Sequence, residues 1–164
     1  MTKPSQKIAI VPGSFDPITY GHLSLVDQAL KDYDKVYLAV MINPAKEYLF
    51  TLEQRKEIAQ AALDGTERVE VISSDGMLWQ LAQELAATAI IKGYRNDADL
   101  AYEQDMALFN AEHNPRAKTV LIRSSEELQT VSSSVVRQRL KEGSALSGFL
   151  PDKAIRVIER ILSQ

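Results

Sequence analysis

A chain of 164 residues, 45% hydrophobic and 25% charged, with a formal net charge of -3, is expected to fold as one globular domain burying about two-thirds of its unfolded surface. It has no cysteine, which excludes disulfides, thiolate catalysis and thiolate zinc sites, and its two histidines lie far apart, which argues against a histidine-rich metal centre. The acidic balance argues against a nucleic-acid partner, and neither the polar opening MTKPSQK nor any later run has the apolar length of a secretory signal or membrane span, so a cytoplasmic protein with no membrane partner is expected.

Strand-like and helix-like segments alternate from end to end. KIAIV (7–11) reads as the first strand, broken by Pro12 and Gly13, where glycine permits a backbone conformation that other residues avoid. A helix follows over 22–33, with Leu23, Val26, Ala29 and Leu30 on one stripe. KVYLAVMI (35–42) is a second strand. The next helix, 51–63, places Leu52, Ile58, Ala59 and Leu63 together, and Thr51 with Gln54 predicts a capping box. RVEVIS (68–73), a helix over 77–87, TAIIKG (88–93), a helix over 97–113 and KTVLIR (118–123) continue the alternation, and two helices, 132–143 and 152–164, close the chain. Each strand is short, rich in β-branched residues and apolar enough to be buried on both faces, as parallel strands are. The pattern predicts an α/β fold: a doubly wound, Rossmann-like, five-stranded parallel sheet with helices on both faces and C-terminal helices. Such sheets bind ligands beyond the carboxyl ends of their strands, so the loops after the first, second, fourth and fifth strands are where a site is expected.

Those loops hold the chemistry-bearing residues. In VPGSFDPITYGHL (11–23), Ser14 and Phe15 would offer backbone amides and a hydroxyl, while Gly21 and His22 open a helix whose unpaired amides favour an anion. A lone histidine in a loop is ordinarily a solvated residue; here a donor aimed at phosphate is the alternative. VSSSVVRQR (131–139) reads as a helix start rich in donors, with Ser132 or Ser133 as the cap and Arg137 one turn in; capping and phosphate binding are compatible there. IKGYRNDADLAYEQD (91–105) puts Lys92 and Arg95 around Gly93 at the fourth strand's end, followed by Asp97, Asp99 and Glu103, which are either first-turn helix acids or partners for a ribose or an arginine. Lys46, in NPAKEYLF (43–50), gains weight only from lying on the same edge.

GSFDPITYGH resembles the G-[ST]-F-D-P-x-T-x-G-H signature of the nucleotidyltransferase superfamily, and VSSSVVR resembles its I-S-S-[ST]-x-x-[RK] partner. KGYRNDADLAYE is similar to the R-G-[LIY]-R-x-x-x-D-[FY]-E-Y-E block of the phosphopantetheine adenylyltransferase family, and the FLP at 149–151 also fits that family. The resemblance covers the whole chain. It implies one nucleotidyltransferase domain over 1–164, a transferase that binds ATP and moves AMP onto the phosphate of 4′-phosphopantetheine in coenzyme A biosynthesis. It also implies Mg2+ without a dedicated protein cage, a homohexamer, and coenzyme A as a feedback ligand. Carried over by position, His22, Lys46 and Ser14 would be catalytic. ATP would meet Ser14, Phe15, His22, Gly93, Tyr94, Arg95 and Glu103, and the segment Leu128, Gln129, Thr130, Val131, Ser132, Ser133 and Ser134 would close over it. Ser14, Lys46 and Lys92 would hold the phosphate of phosphopantetheine, with Met77 and Leu78 along its pantetheine arm. The sequence departs from the pattern at Lys92, where arginine is usual, at Leu100 and Ala101, which replace an aromatic–glutamate pair, and in SEELQT, which lacks an aromatic. The alternatives are another nucleotidyltransferase, either a cytidylyltransferase or a nicotinate mononucleotide adenylyltransferase, which would carry a second histidine where Thr19 stands, and a non-catalytic nucleotide-binding module, against which His22, Ser14, Lys46 and Arg95 speak.

Overall fold

In the computed structural model, which describes residues 6–164, the five apolar runs become β1 (Ile8–Gly13), β2 (Lys35–Met41), β3 (Val69–Ser74), β4 (Ala89–Tyr94) and β5 (Lys118–Arg123). The polar opening lies outside the described residues as far as position 5. All strands pair in parallel in the order β3-β2-β1-β4-β5, so the expected doubly wound sheet is the one found.

Burial on both faces holds for β1 and β2 at the centre and for the first half of β4, but not for β3 and β5. These are the two edges, where only one neighbour strand shields the chain; Glu70 of β3 and Lys118 and Val120 of β5 are exposed.

The intervening helices are α1 (Tyr20–Asp32), α2 (Leu52–Ala62), α3 (Leu78–Glu84) and α4 (Asp97–His113). After β5 come a short turn of helix, α5 (Glu126–Gln129), in a stretch expected to be loop, then α6 (Ser133–Glu142) and α7 (Asp152–Leu162). Helix starts follow the local chemistry: Thr51 Oγ1 accepts from Gln54 N at 3.1 Å while Gln54 Oε1 accepts from Thr51 N at 3.0 Å, the predicted capping box. Gly143 ends α6 in the left-handed conformation, at φ 72°.

Alternate residues of each central strand face opposite ways and build two cores. Ala9, Val11, Leu38 and Ile91 pack with Val26 and Ala29 of α1, Ile58 of α2, Val136 of α6 and Ile158 of α7. On the other face Ile10, Ala39 and Ile90 pack with Leu81 and Ala82 of α3. Among the described residues no helix is long and apolar enough to cross a membrane.

The sheet topology also opens the site. β1 pairs with β2 as far as Gly13, but with β4 only at Ala9↔Ala89 and Ile10↔Ile90. Beyond that point β1 and β4 diverge, at the position where strand order reverses, and Pro12 sits where no ladder bond to β4 is required.

Candidate active site

The divergence of β1 and β4 becomes a cleft of about 680 Å³. Its walls come from the loops after β1, β2, β4 and β5, the four places expected from the alternation. On the β1 side they carry Ser14, Phe15 and His22; from the β2 loop come Lys46, Glu47 and Tyr48. Lys92, Gly93, Arg95 and Glu103 enter from β4 and α4, and Leu128, Gln129, Ser132, Ser133, Ser134 and Arg137 from the segment after β5.

Gly13 does not play the conformational role expected of it: it stays in β1, and the left-handed backbone falls on Phe15, at φ 47°. Gly13 is needed for space instead, since a Cβ there would stand 3.0 Å from the Phe15 ring. That ring is 3% exposed and meets the His22 imidazole edge-on, centroids 4.9 Å apart.

His22 lies in the first turn of α1 behind the cap residue Thr19, whose Oγ1 accepts from Gly21 N at 3.2 Å. The Thr19 N–H donates to His22 Nδ1 at 3.0 Å, so Nδ1 is an acceptor and the ring proton resides on Nε2. The ring keeps an edge open to the cleft, yet the packing around it strips water from the charged form, and burial pushes its pKa down from 6.5 to about 4. His22 is therefore a neutral Nε2–H donor at pH 7.

Several of the remaining polar residues are paired. Lys92 Nζ is 3.3 Å from Glu103 Oε1, both largely shielded, while Arg95 meets Asp99 at 3.3 Å in a more exposed pair. Ser132 caps α6 by accepting from Val135 N. Ser133 Oγ donates to the Pro17 carbonyl at 2.7 Å, and Arg137 donates to the Asp16 carbonyl at 2.9 Å and to Ser134 Oγ at 3.1 Å. The start of α6 is thereby docked against the β1 loop, with its free amides at the cleft.

Five expected residues fall outside these walls. Tyr94 is tied into the sheet edge, paired with Arg123 and accepting from Ser124 N. The Thr130 hydroxyl turns back to the Glu127 carbonyl, and Val131 packs towards Gly21. Met77 and Leu78 line a second, smaller cavity of about 120 Å³ with Met106, Phe109 and Thr119; Lys92, Tyr102 and Glu103 border both spaces. Thr119 Oγ1 is buried there with no hydrogen-bond partner.

Sequence reasoning missed the groups that hold this frame. The Asp16 carboxylate, 3% exposed, accepts from Leu49 N at 2.9 Å and Phe50 N at 3.0 Å. Arg55, 1% exposed, donates to the carbonyls of Ser14, Met41 and Phe50 at 2.8, 2.9 and 3.2 Å, and burial lowers its pKa against the opposing pull of Tyr48 and Asp16. A signal existed: position 55 falls between Leu52 and Ile58 on the apolar stripe of α2, where a charge needs a reason.

The cleft thus presents four cations, a neutral imidazole donor, serine hydroxyls and two helix starts, with no nucleophile–base pair. It suits two phosphorylated molecules held close together.

A family model described as cytidylyltransferase-like matches residues 10–139. The chain is 39% identical over 158 residues to a phosphopantetheine adenylyltransferase of Caldanaerobacter subterraneus subsp. tengcongensis, covering 96% of this chain and 97% of that one. It is 42% identical over 156 residues to one from Lactobacillus helveticus, covering 94% and 95%, and 39% identical over 149 residues to one from Clostridium beijerinckii, covering 91% and 94%.

Proposed function

We propose, for a chain that belongs to the cytidylyltransferase-like family and to its phosphopantetheine adenylyltransferases, how the residues of its cleft divide the work of the reaction. The protein is an adenylyltransferase of coenzyme A biosynthesis: it transfers AMP from ATP to 4′-phosphopantetheine, giving dephospho-coenzyme A and pyrophosphate.

An oxygen of the acceptor phosphate attacks the α-phosphorus of ATP, and the bond from that phosphorus to the bridging oxygen breaks, pyrophosphate leaving with the electron pair. The attacking oxygen is already ionised at neutral pH, so no general base is needed. The protein's task is to align two polyanions and to stabilise the charge that builds between them. One arrangement carries this reading: the cations Lys46, Lys92, Arg95 and Arg137, the His22 Nε2–H and the start of α6 all line one cleft.

Ser14, Lys46 and Lys92 take the acceptor phosphate, and His22 donates to the α-phosphate as charge develops there. Arg95 with Gly93 holds ATP, whose outer phosphates meet the start of α6 and the segment from Leu128 to Ser134. The pantetheine arm runs past Lys92 into the smaller cavity, along Met77 and Leu78, where the unpaired Thr119 hydroxyl can serve one of its amides.

A protein-held Mg2+ does not fit this donor set. Among the described residues no three His, Asp or Glu side chains gather into a metal-binding group; Asp16 is taken by amides, and Glu103 and Asp99 by Lys92 and Arg95. Divalent-metal use would rest on substrate phosphates, with Mg2+ entering on the nucleotide. The resemblance also carries a homohexamer and coenzyme A as a feedback ligand, and α4 leaves Leu108 exposed, with Tyr102, Met106 and Phe109 partly exposed around the smaller cavity, apolar surface that a homo-oligomer would cover in part.

Pyrophosphate release from ATP tests the assignment, measured with phosphopantetheine, with nicotinate mononucleotide and with no acceptor. Release is expected with phosphopantetheine alone; release with nicotinate mononucleotide favours the other adenylyltransferase, and none at all the non-catalytic reading.

A further inference from the structure

Tyr48, in the loop after β2, has no part in the division of labour above, yet it touches the residue on which acceptor binding depends. Its phenol oxygen accepts the Asn43 N–H at 2.7 Å and lies 3.1 Å from Ser14 Oγ and 3.5 Å from the Asn43 carbonyl oxygen. The phenol has one proton to give. A separation of 3.5 Å is too long for a good O–H···O bond, so Ser14 Oγ is the better acceptor. Once a lone pair of Ser14 is filled in this way, the Ser14 hydroxyl keeps its own proton for a third atom, and the cleft is where it opens. A hydroxyl in that state is a donor aimed at an anion.

The ring that sets it is itself fixed. The Arg55 guanidinium lies over the Tyr48 ring, 3.9 Å from its centroid, and the same buried guanidinium donates to the Ser14 carbonyl at 2.8 Å. One cation therefore holds both the backbone of Ser14 and the phenol that meets its hydroxyl.

We propose that Tyr48 is a positioning residue for the acceptor phosphate: its phenol donates to Ser14 Oγ and so turns the Ser14 proton onto that phosphate. The inference rests on the reading that Ser14 binds the acceptor, and it separates Tyr48 from a residue that merely packs the loop. An effect exerted through the Ser14 hydroxyl disappears when that hydroxyl is removed; a packing effect does not.

Tyr48→Phe keeps the ring and its stacking on Arg55 and deletes only the phenol oxygen. Steady-state kinetics on the parent, Tyr48→Phe, Ser14→Ala and the double variant, with thermal unfolding of each, test the proposal. Tyr48→Phe alone is expected to lower kcat/KM for phosphopantetheine by about fivefold, the worth of one hydrogen bond, leaving the KM for ATP unchanged; the loss of the acceptor for the Asn43 N–H lowers the thermal midpoint by the same small amount in both backgrounds. In the Ser14→Ala background the same change is expected to cost nothing further in kcat/KM. An equal loss of kcat/KM in both backgrounds, or a larger fall in thermal midpoint with ATP and acceptor kinetics impaired together, overturns the proposal in favour of loop packing. If Ser14→Ala is impaired and Tyr48→Phe is not, Tyr48 alone is misassigned; if Ser14→Ala has normal acceptor kinetics, the reading of Ser14 fails and Tyr48 falls with it.

Discussion

His22 is the residue on which pH should act most plainly, because its pKa is pushed from 6.5 down to about 4 by loss of water around the ring. An unfolded chain takes up a proton at this side chain as pH falls through about 6.5, whereas the folded chain resists until about 4. The unfolded state thus binds more protons across that window, and stability is whole above about 6.5 and declines as pH drops towards about 4. A gap of about 2.5 pH units at about 1.4 kcal/mol each gives about 3.5 kcal/mol, an upper figure because the ring edge facing the cleft keeps some hydration. Urea unfolding of the parent and of His22→Gln, at about pH 7 and about pH 4.5, should show the parent losing roughly 2 kcal/mol more than the variant between the two. Nitrogen-15 imidazole spectra should show the Nε2–H tautomer without titration down to about pH 5.5, and the kcat profile no acid limb near the ordinary histidine value. His22→Ala should lower kcat by roughly 10²–10³-fold while sparing the KM for ATP. An imidazole that titrates near 6.5, with equal pH dependence of stability in both proteins, would refute the buried-donor argument.

Substitutions at three further positions separate the two substrates. Arg95→Ala should weaken ATP binding far more than phosphopantetheine binding; calorimetry giving equal losses contradicts that division. Lys92→Arg should stay active, while Lys92→Ala should raise the KM for phosphopantetheine several-fold or more, since it removes a cation and leaves the shielded Glu103 carboxylate unpaired beside a phosphate; an unaffected alanine variant makes Lys92 an edge residue, and an inactive arginine variant means a pocket shaped around lysine. Thr119→Val removes a hydroxyl that already lacks a partner, so thermal stability should hold or rise while the KM for phosphopantetheine increases about fivefold; a loss of stability with normal kinetics would place its partner within the fold.

The fold was legible because βαβ alternation repeats one signal five times: short, nearly continuous apolar runs ending in turns, most of them followed by helical stripes. Element ends were legible where the cap is local, as at Thr51 with Gln54 and Ser132 before α6, and less so at α3, which ends at Glu84 although helical spacing runs on to 87. The edge strands betrayed the reading of burial because strand order is a long-range property; nothing within VEVISS or KTVLIR says which will have a single neighbour. At the site, residues that line the cleft can be read from motif and position, since the carboxyl ends of the strands converge by topology. The residues beneath them cannot. Asp16 meets Leu49 and Phe50 across more than thirty residues of sequence, and Arg55 meets Ser14 across 41. Such pairings leave no periodic trace, and only a cation at a core position of α2 hints at one.

That hidden layer bears on the chemistry. Burying a polar group costs free energy unless its bonds are remade, and a core position filled by an apolar residue is usually at least as stable. Five polar or charged residues are buried among those described, and three of them, Asp16, Thr19 and Arg55, lie directly under the cleft. Each joins segments that carry a cleft residue. Thr19 orients His22, Asp16 ties the loop of Lys46 and Tyr48 to the first motif, and Arg55 holds that motif at Ser14 against the end of β2. Arg137 then clamps the start of α6 to the Asp16 carbonyl. A reaction whose nucleophile arrives already ionised asks little of a side chain as acid or base. Its barrier yields to charges and donors that are in place before the phosphates meet, and do not have to reorganise as charge shifts. Three of the five buried polar residues thus lie where, on the reading proposed above, positioned charges and donors, and not an activated side chain, would supply the rate.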